Sequence, residues 1–191
     1  TEILGQALAF IDDQRGAVSP QGLYMIEGGY NDLFPVADDV PDEVIQTIVA
    51  NQEAAITALA DAGASLFVVP NLLDMGLASG HAGLSTAVAE VNTLQHEMLN
   101  ELEAALGIET IRPDWHRIHH VVFDGPGSFR LEELIDPAFD DTTGNIDPDV
   151  DAFLNWDPVH PTRAWHAILG AQTLDALGIL PEQGTFEAHL S

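Results

Sequence analysis

Near the C-terminus the run NWDPVHPTRAWH, Asn155 to His166, sets Asp157 three residues before His160, with a proline directly after each. A carboxylate on one imidazole nitrogen fixes the tautomer and leaves the other nitrogen to accept a proton, which is how a general base is built. One turn of chain can hold both groups at that separation. The competing reading is an acidic surface loop ahead of a helix, with Asp157 merely favourable near the positive helix end. A second run, EGGYNDLF, offers Asn31, whose side-chain amide donates two hydrogen bonds. A fixed amide aimed at a developing oxyanion is worth about 3 kcal/mol of transition-state stabilisation. Gly28 and Gly29 before it allow tight or positive-φ backbone. The plainer reading is a Gly-Asn-Asp turn with local side-chain bonds. A third run, PNLLDMG, adds Asn71 and Asp74, and nothing in it demands chemistry.

These runs need a scaffold. Leu23–Glu27, Ser65–Pro70 and His119–Asp124 are short apolar runs of the kind that form buried parallel strands. Long helical patterns separate them. One starts at Pro41 and carries Ile45, Val49, Ile56 and Leu59 on one face, with Gly63 as its stop. Another spans Leu84 to Leu106 and ends at Gly107. Shorter helices are expected over Glu2–Gln14, over SFRLEELI and from Pro161 onward, and a polar loop over Asp136–Asp151. NLLDMGLASGHAG also reads as a loop. The alternation predicts a single α/β domain, a mostly parallel sheet with helices on both faces. In such sheets functional residues gather at the carboxyl ends of the strands, where the Asn31 and Asn71 loops fall.

Charge narrows the partners. Among 191 residues, Asp and Glu number 31 and the basic residues 5, all arginine, for a net charge of −26. Such a surface repels a phosphate backbone, which argues against nucleic acid, and disfavours an anionic membrane. No apolar run is long enough to span a bilayer, so no membrane span is expected. With no cysteine, disulfide and thiol chemistry are excluded. The acidic excess fits either a secreted, extracellular protein or the cytoplasm of a salt-adapted organism.

The sequence offers residues for other chemistries too. His116, His119 and His120 stand close together in DWHRIHH, and His116 and His120 would align on a helix. The segment leads toward an apparent strand, so they read as polar residues before it, some packing on Trp115, and no metal or other cofactor is expected. DDTTGNIDPDVD has a flavour of a calcium loop but lacks the twelfth-position glutamate and flanking helices. No glycine-rich phosphate loop appears.

Taken together, LYMIEGGYNDLF, LFVVPNLLDMGLA and FLNWDPVHPTRAWHAILG resemble, in order and rough spacing, blocks of the GDSL-type lipase and esterase family, the SGNH hydrolases. The likeness runs from about Gly22 to Gly178 and leans toward the phospholipase-like and plant-type branch. It implies a three-layer α/β/α hydrolase fold and hydrolysis of small-molecule or lipid esters through a serine acyl-enzyme. By that resemblance His160 is the general base, Asp157 its orienting acid and Asn31 an oxyanion donor. Gly29 and Tyr30 fall in the same block as Asn31, Gly29 allowing close approach and Tyr30 lining the substrate site.

The pattern also departs from the family. Neither its Gly-Asp-Ser nucleophile block nor its oxyanion glycine block is recognisable. The serines are Ser19, Ser65, Ser79, Ser85, Ser128 and Ser191, and none follows a Gly-Asp pair. The expectation is therefore the C-terminal portion of a longer hydrolase, inactive alone, whose N-terminal complement carries the serine. The alternative is a non-catalytic acidic binding or structural module on the same fold. If self-repulsion shaped this surface, screening it should stabilise the fold. The urea midpoint is expected to rise from low to molar sodium chloride; a salt-independent midpoint would reject salt adaptation.

Overall fold

The computed structural model describes residues 3–37, 39–79 and 81–179. Glu2 and Ser191, which entered the expectations above, lie outside them. The described chain falls into two compact units. The first runs to Gly76 and resumes over His81–Pro113; the second takes Leu77 to Ser79 and the chain from Asp114 on.

In the first unit, α1 (Ile3–Asp13) leads to β1 (Leu23–Met25) and a four-residue helix, α2 (Tyr30–Leu33). Helix α3 (Asp42–Asp61) and strand β2 (Leu66–Val68) follow. A short helix, α4 (Met75–Ser79), begins in this unit with Met75 and Gly76 and sits where the sequence suggested only loop. The long α5 (Ala82–Leu106) and β3 (Glu109–Ile111) complete the unit. The strands form a parallel sheet in the order β1-β2-β3, with Tyr24 beside Phe67 and Phe67 beside Thr110. The α/β class and parallel sheet agree with the sequence reading.

Helix formation follows the residues. Asp42 and Glu43 occupy the positive end of α3. Ile45, Ile48, Val49, Ile56 and Leu59 then bury one face. On α5 the buried stripe is Leu84, Val88, Val91, Met98, Leu99 and Leu102. Gly107 closes that helix at φ 67°, a conformation glycine adopts without steric cost. These stripes meet Phe67, Val69 and Ile26 in one core.

Polar residues interrupt both stripes, and they position the strand-end loops. The Gln52 amide on α3 donates to the Gly28 carbonyl at 3.0 Å. Gln95 on α5 donates to Gln52 Oε1 at 3.0 Å and to the Pro70 carbonyl at 3.3 Å. Both side chains are buried, 1 % and 3 % exposed, so these bonds replace water that cannot reach them. Asn92 adds a two-way clamp on Leu72, accepting from its N–H at 2.7 Å and donating to its carbonyl at 2.9 Å. Gly28 follows β1, and Pro70 and Leu72 follow β2. The amides therefore pin both loops at the carboxyl edge of the sheet.

The His119–Asp124 run is not a strand; it belongs to α6 (Trp115–Asp124), in the second unit. Asp114 caps that helix by accepting from the Arg117 N–H, and Ile118 and Val122 bury one face while Val121 stays exposed. Helical spacing and a cap outweigh the strand propensity of Val-Val-Phe. The third strand is β3 instead. SFRLEELI is not a helix: the 3-10 turn Pro126–Phe129 ends at Arg130, whose φ of 58° breaks a right-handed helix. Strand β1 is not buried through its length, because Leu23 and Met25 are 50 % and 49 % exposed. Among the described residues no strand pairs with its other edge.

The second unit continues with a two-residue antiparallel ladder, β4 (Phe139–Asp140) with β5 (Asn145–Ile146), inside the segment read as loop. It ends with α7 (Arg163–Ala176), packed against α6. That helix starts at Arg163, not Pro161: Thr162 is its cap, accepting from the Trp165 N–H. Buried Trp165, Ile168 and Leu169 form its inner face.

Replacing Gln95 by leucine leaves Gln52 Oε1 and the Pro70 carbonyl short of a donor in a dry site. Each stranded group costs about 1–3 kcal/mol. Urea unfolding should show a loss of that order for Q95L. The Q52L/Q95L pair should cost less than the sum of the single changes, since their mutual bond is lost once.

Candidate functional site

Two groups of candidate residues emerge, one in each unit. In the first unit, Gly29 is the residue before α2, with φ 124°. It is buried, and a Cβ there would lie 2.8 Å from Ile48 Cγ2, so only glycine fits without displacement. Tyr30 opens α2. Its phenol oxygen accepts from the Leu73 N–H at 3.0 Å, which ties the β1 loop to the β2 loop. Burial pushes the Tyr30 phenol well up, against that backbone bond and reinforced by Glu27. It therefore stays protonated across all ordinary pH. Asn31, next in the turn, is exposed. Position and exposure leave its amide accessible to a ligand, while Gly29 and Tyr30 fix the backbone beneath it.

The PNLLDMG loop is committed to structure at one residue. Asp74 is 4 % exposed, and its Oδ1 accepts from the Gly76 N–H at 3.1 Å and from Ser85 Oγ at 2.6 Å. Ser85 is thus engaged by a buried carboxylate. Ser65 donates to the Pro20 carbonyl at 3.0 Å. Neither is presented as a nucleophile by these bonds.

In the second unit the structure brings Asp157 and His160 together. His160 Nδ1 lies 2.7 Å from Asp157 Oδ2 and 2.9 Å from Oδ1. Oδ1 also accepts from the backbone N–H groups of Val159 and His160, at 3.0 and 2.8 Å. One carboxylate thus folds the loop and orients the ring. With Nδ1 held, Nε2 is the atom left to take a proton. The imidazole is 72 % exposed and the carboxylate 24 %, so the ring faces outward from a sheltered acid.

The loop closes on itself: Trp156 N–H donates to the His160 carbonyl at 2.8 Å, and Asn155 bridges to Pro161. Thr162, buried, donates from Oγ1 to the Phe153 carbonyl at 2.7 Å while capping α7. Trp156 stacks on Phe139 with ring centres 5.6 Å apart and planes 10° from parallel. That stack covers one face of the Trp156 ring. Sequence reasoning found the dyad but missed the amides Gln52, Asn92 and Gln95. Their signal was present: each is a polar residue at a position where the helical period calls for an apolar one.

A family model for the GDSL-like lipase/acylhydrolase matches residues 2–173. The chain therefore belongs to the GDSL-like lipase/acylhydrolase family, whose members share the SGNH hydrolase fold and act as ester or acyl hydrolases. A search of curated proteins found no match. Among the described residues no helix is long and apolar enough to cross a membrane.

Partial burial works to raise the Asp157 carboxyl, but the bonds from Val159 N–H, the His160 ring and His160 N–H outweigh it and leave it lowered. An ordinary aspartate titrates near about 3.9. A lowered folded value means the stabilisation is full above the unfolded value and is lost as pH falls through the folded one. A carboxyl titration by NMR should therefore place the Asp157 midpoint below that ordinary value. The Val159 and His160 amide signals should show an acidic step that shares the Asp157 midpoint, because both N–H groups donate to that carboxylate.

Proposed function

We propose that this protein is the base-bearing portion of a serine esterase or lipase acting on small-molecule or lipid carboxylic esters. The observation that carries the reading is the bidentate hold of Asp157 on His160 Nδ1, in a loop that presents the ring outward. In the reaction, Nε2 of His160 takes the proton of a serine hydroxyl as its oxygen attacks the ester carbonyl. Asn31 and neighbouring backbone N–H groups hold the oxyanion. His160 then returns the proton to the leaving alkoxide and activates water for deacylation. Gly29 and Tyr30 shape the loop that carries the donor.

The nucleophile is the part of this proposal that the 191 residues do not supply. We assign it to an N-terminal complement of the same protein. Two observations support that assignment. No serine follows a Gly-Asp pair. Among the described residues strand β1 also offers an unpaired edge, beside half-exposed Leu23 and Met25, of the kind a further strand would occupy.

The test is hydrolysis of a short p-nitrophenyl ester by the chain alone and by the chain produced together with its preceding segment. The joined protein should turn over, and H160A should lower kcat on the order of a thousandfold or more. N31A should lower it about a hundredfold. Robust turnover by the isolated chain, abolished in H160A, would overturn the missing nucleophile. An inactive joined protein would overturn the esterase reading.

A further inference from the structure

His116 and His120 would be poor joint ligands on a segment running into a strand. The segment is instead helical from Trp115 to Asp124, so the two residues stand one turn apart on the same face. Their ring centres are 4.7 Å apart and their planes tilt by 41°. Two imidazoles binding one ion through nitrogens at about 2.0–2.1 Å place their ring centres roughly 4.5 to 5.2 Å apart, for angles at the metal from square to tetrahedral. The observed separation falls inside that window before any ion is added. We propose that His116 and His120 form a binding site for one divalent transition-metal ion of the imidazole-preferring kind, with Zn²⁺ as its representative.

The local structure prepares the pair. Asp114 fixes the first turn by accepting from the Arg117 N–H at 3.0 Å, which sets the register of both histidines. Packing holds the opposite side of the helix: Ile118 and Val122 are buried, and His119 lies 5.4 Å from the Trp165 ring on α7. Trp115 Nε1 donates to Thr173 Oγ1 at 3.1 Å, a second tie to α7. Little backbone freedom remains to be lost when an ion joins the two rings, and that favours affinity. Both histidines are partly buried, and His120 Nε2 is shielded from bulk solvent. A net charge of −26 raises the local concentration of any divalent cation. Selectivity comes from the ligands: imidazole suits zinc, nickel and copper, whereas carboxylate and water suit magnesium and calcium. The ion bridges two turns of α6 and stabilises the folded form by mass action. It takes no part in the ester chemistry proposed above.

The experiment titrates chelator-stripped protein with Zn²⁺ against a chromophoric competitor, in a large excess of Mg²⁺ to occupy surface carboxylates. One Zn²⁺ per chain should bind and should raise the thermal midpoint. H116A and H120A should each weaken binding at least tenfold, while H96A and H166A leave it unchanged. Circular dichroism without metal checks that each variant is folded, and H116Q and H120Q provide isosteric replacements should the alanines unfold. Binding that Mg²⁺ displaces, that H120A leaves intact, or that scales to many ions per chain overturns the site. So does the absence of saturable binding. None of these outcomes depends on esterase activity, so the site and the functional proposal stand or fall separately.

Discussion

One hydrogen bond between two glutamine side chains, Gln95 to Gln52, holds the upper half of the first unit in register. It is buried, it joins α3 to α5, and each amide reaches on to a backbone carbonyl just past a different strand. A hydrophobic core alone sets two helices at a distance; it does not say where a loop beyond the sheet must stop. Carbonyls with a fixed donor do. Gly28 and Pro70 are such points, and Asn92 makes Leu72 a third. The backbone under Gly29, Tyr30 and Asn31 inherits its position from these amides. The cost is that the pair is useful only when complete, since a lone buried amide is worse than an apolar side chain.

The second unit reaches rigidity differently. There a single carboxylate, Asp157, gathers two backbone N–H groups and an imidazole. One hydroxyl, Thr162, joins the loop to α7. The loop is short, proline-bounded and closed by its own backbone bonds, so little of its order depends on distant packing. The chain's family, the GDSL-like lipase/acylhydrolases, is one of ester or acyl hydrolases.

What could be read from the sequence follows from how local each cause is. The helices α3 and α5 were legible because twenty or more residues repeat one period. Asp157 and His160 were legible because three residues of separation and two prolines leave few ways to arrange them. Helix α6 was misread because Val121, Val122 and Phe123 favour strand locally, whereas the deciding contacts lie at Asp114 and in the packing of α6 on α7. The half-exposure of Leu23 and Met25 was invisible for a related reason: an apolar run says that a face wants cover and not whether it has any. Gln52 and Gln95 sat in plain view on their apolar stripes. Their partners are carbonyls, which every residue possesses, so no motif could announce them.

The open side of β1 has a bearing on how the molecule behaves in company. An unpaired strand edge flanked by apolar side chains is a template onto which another chain can add. Here the dominant counterweight is the common negative sign of every copy, which keeps neighbours apart while the field extends far enough to be felt. Electrolyte shortens that reach to a few ångströms at molar strength. The same brine that relieves crowding of carboxylates within one chain therefore removes the barrier between chains, and self-association through this ledge becomes easier as salt rises.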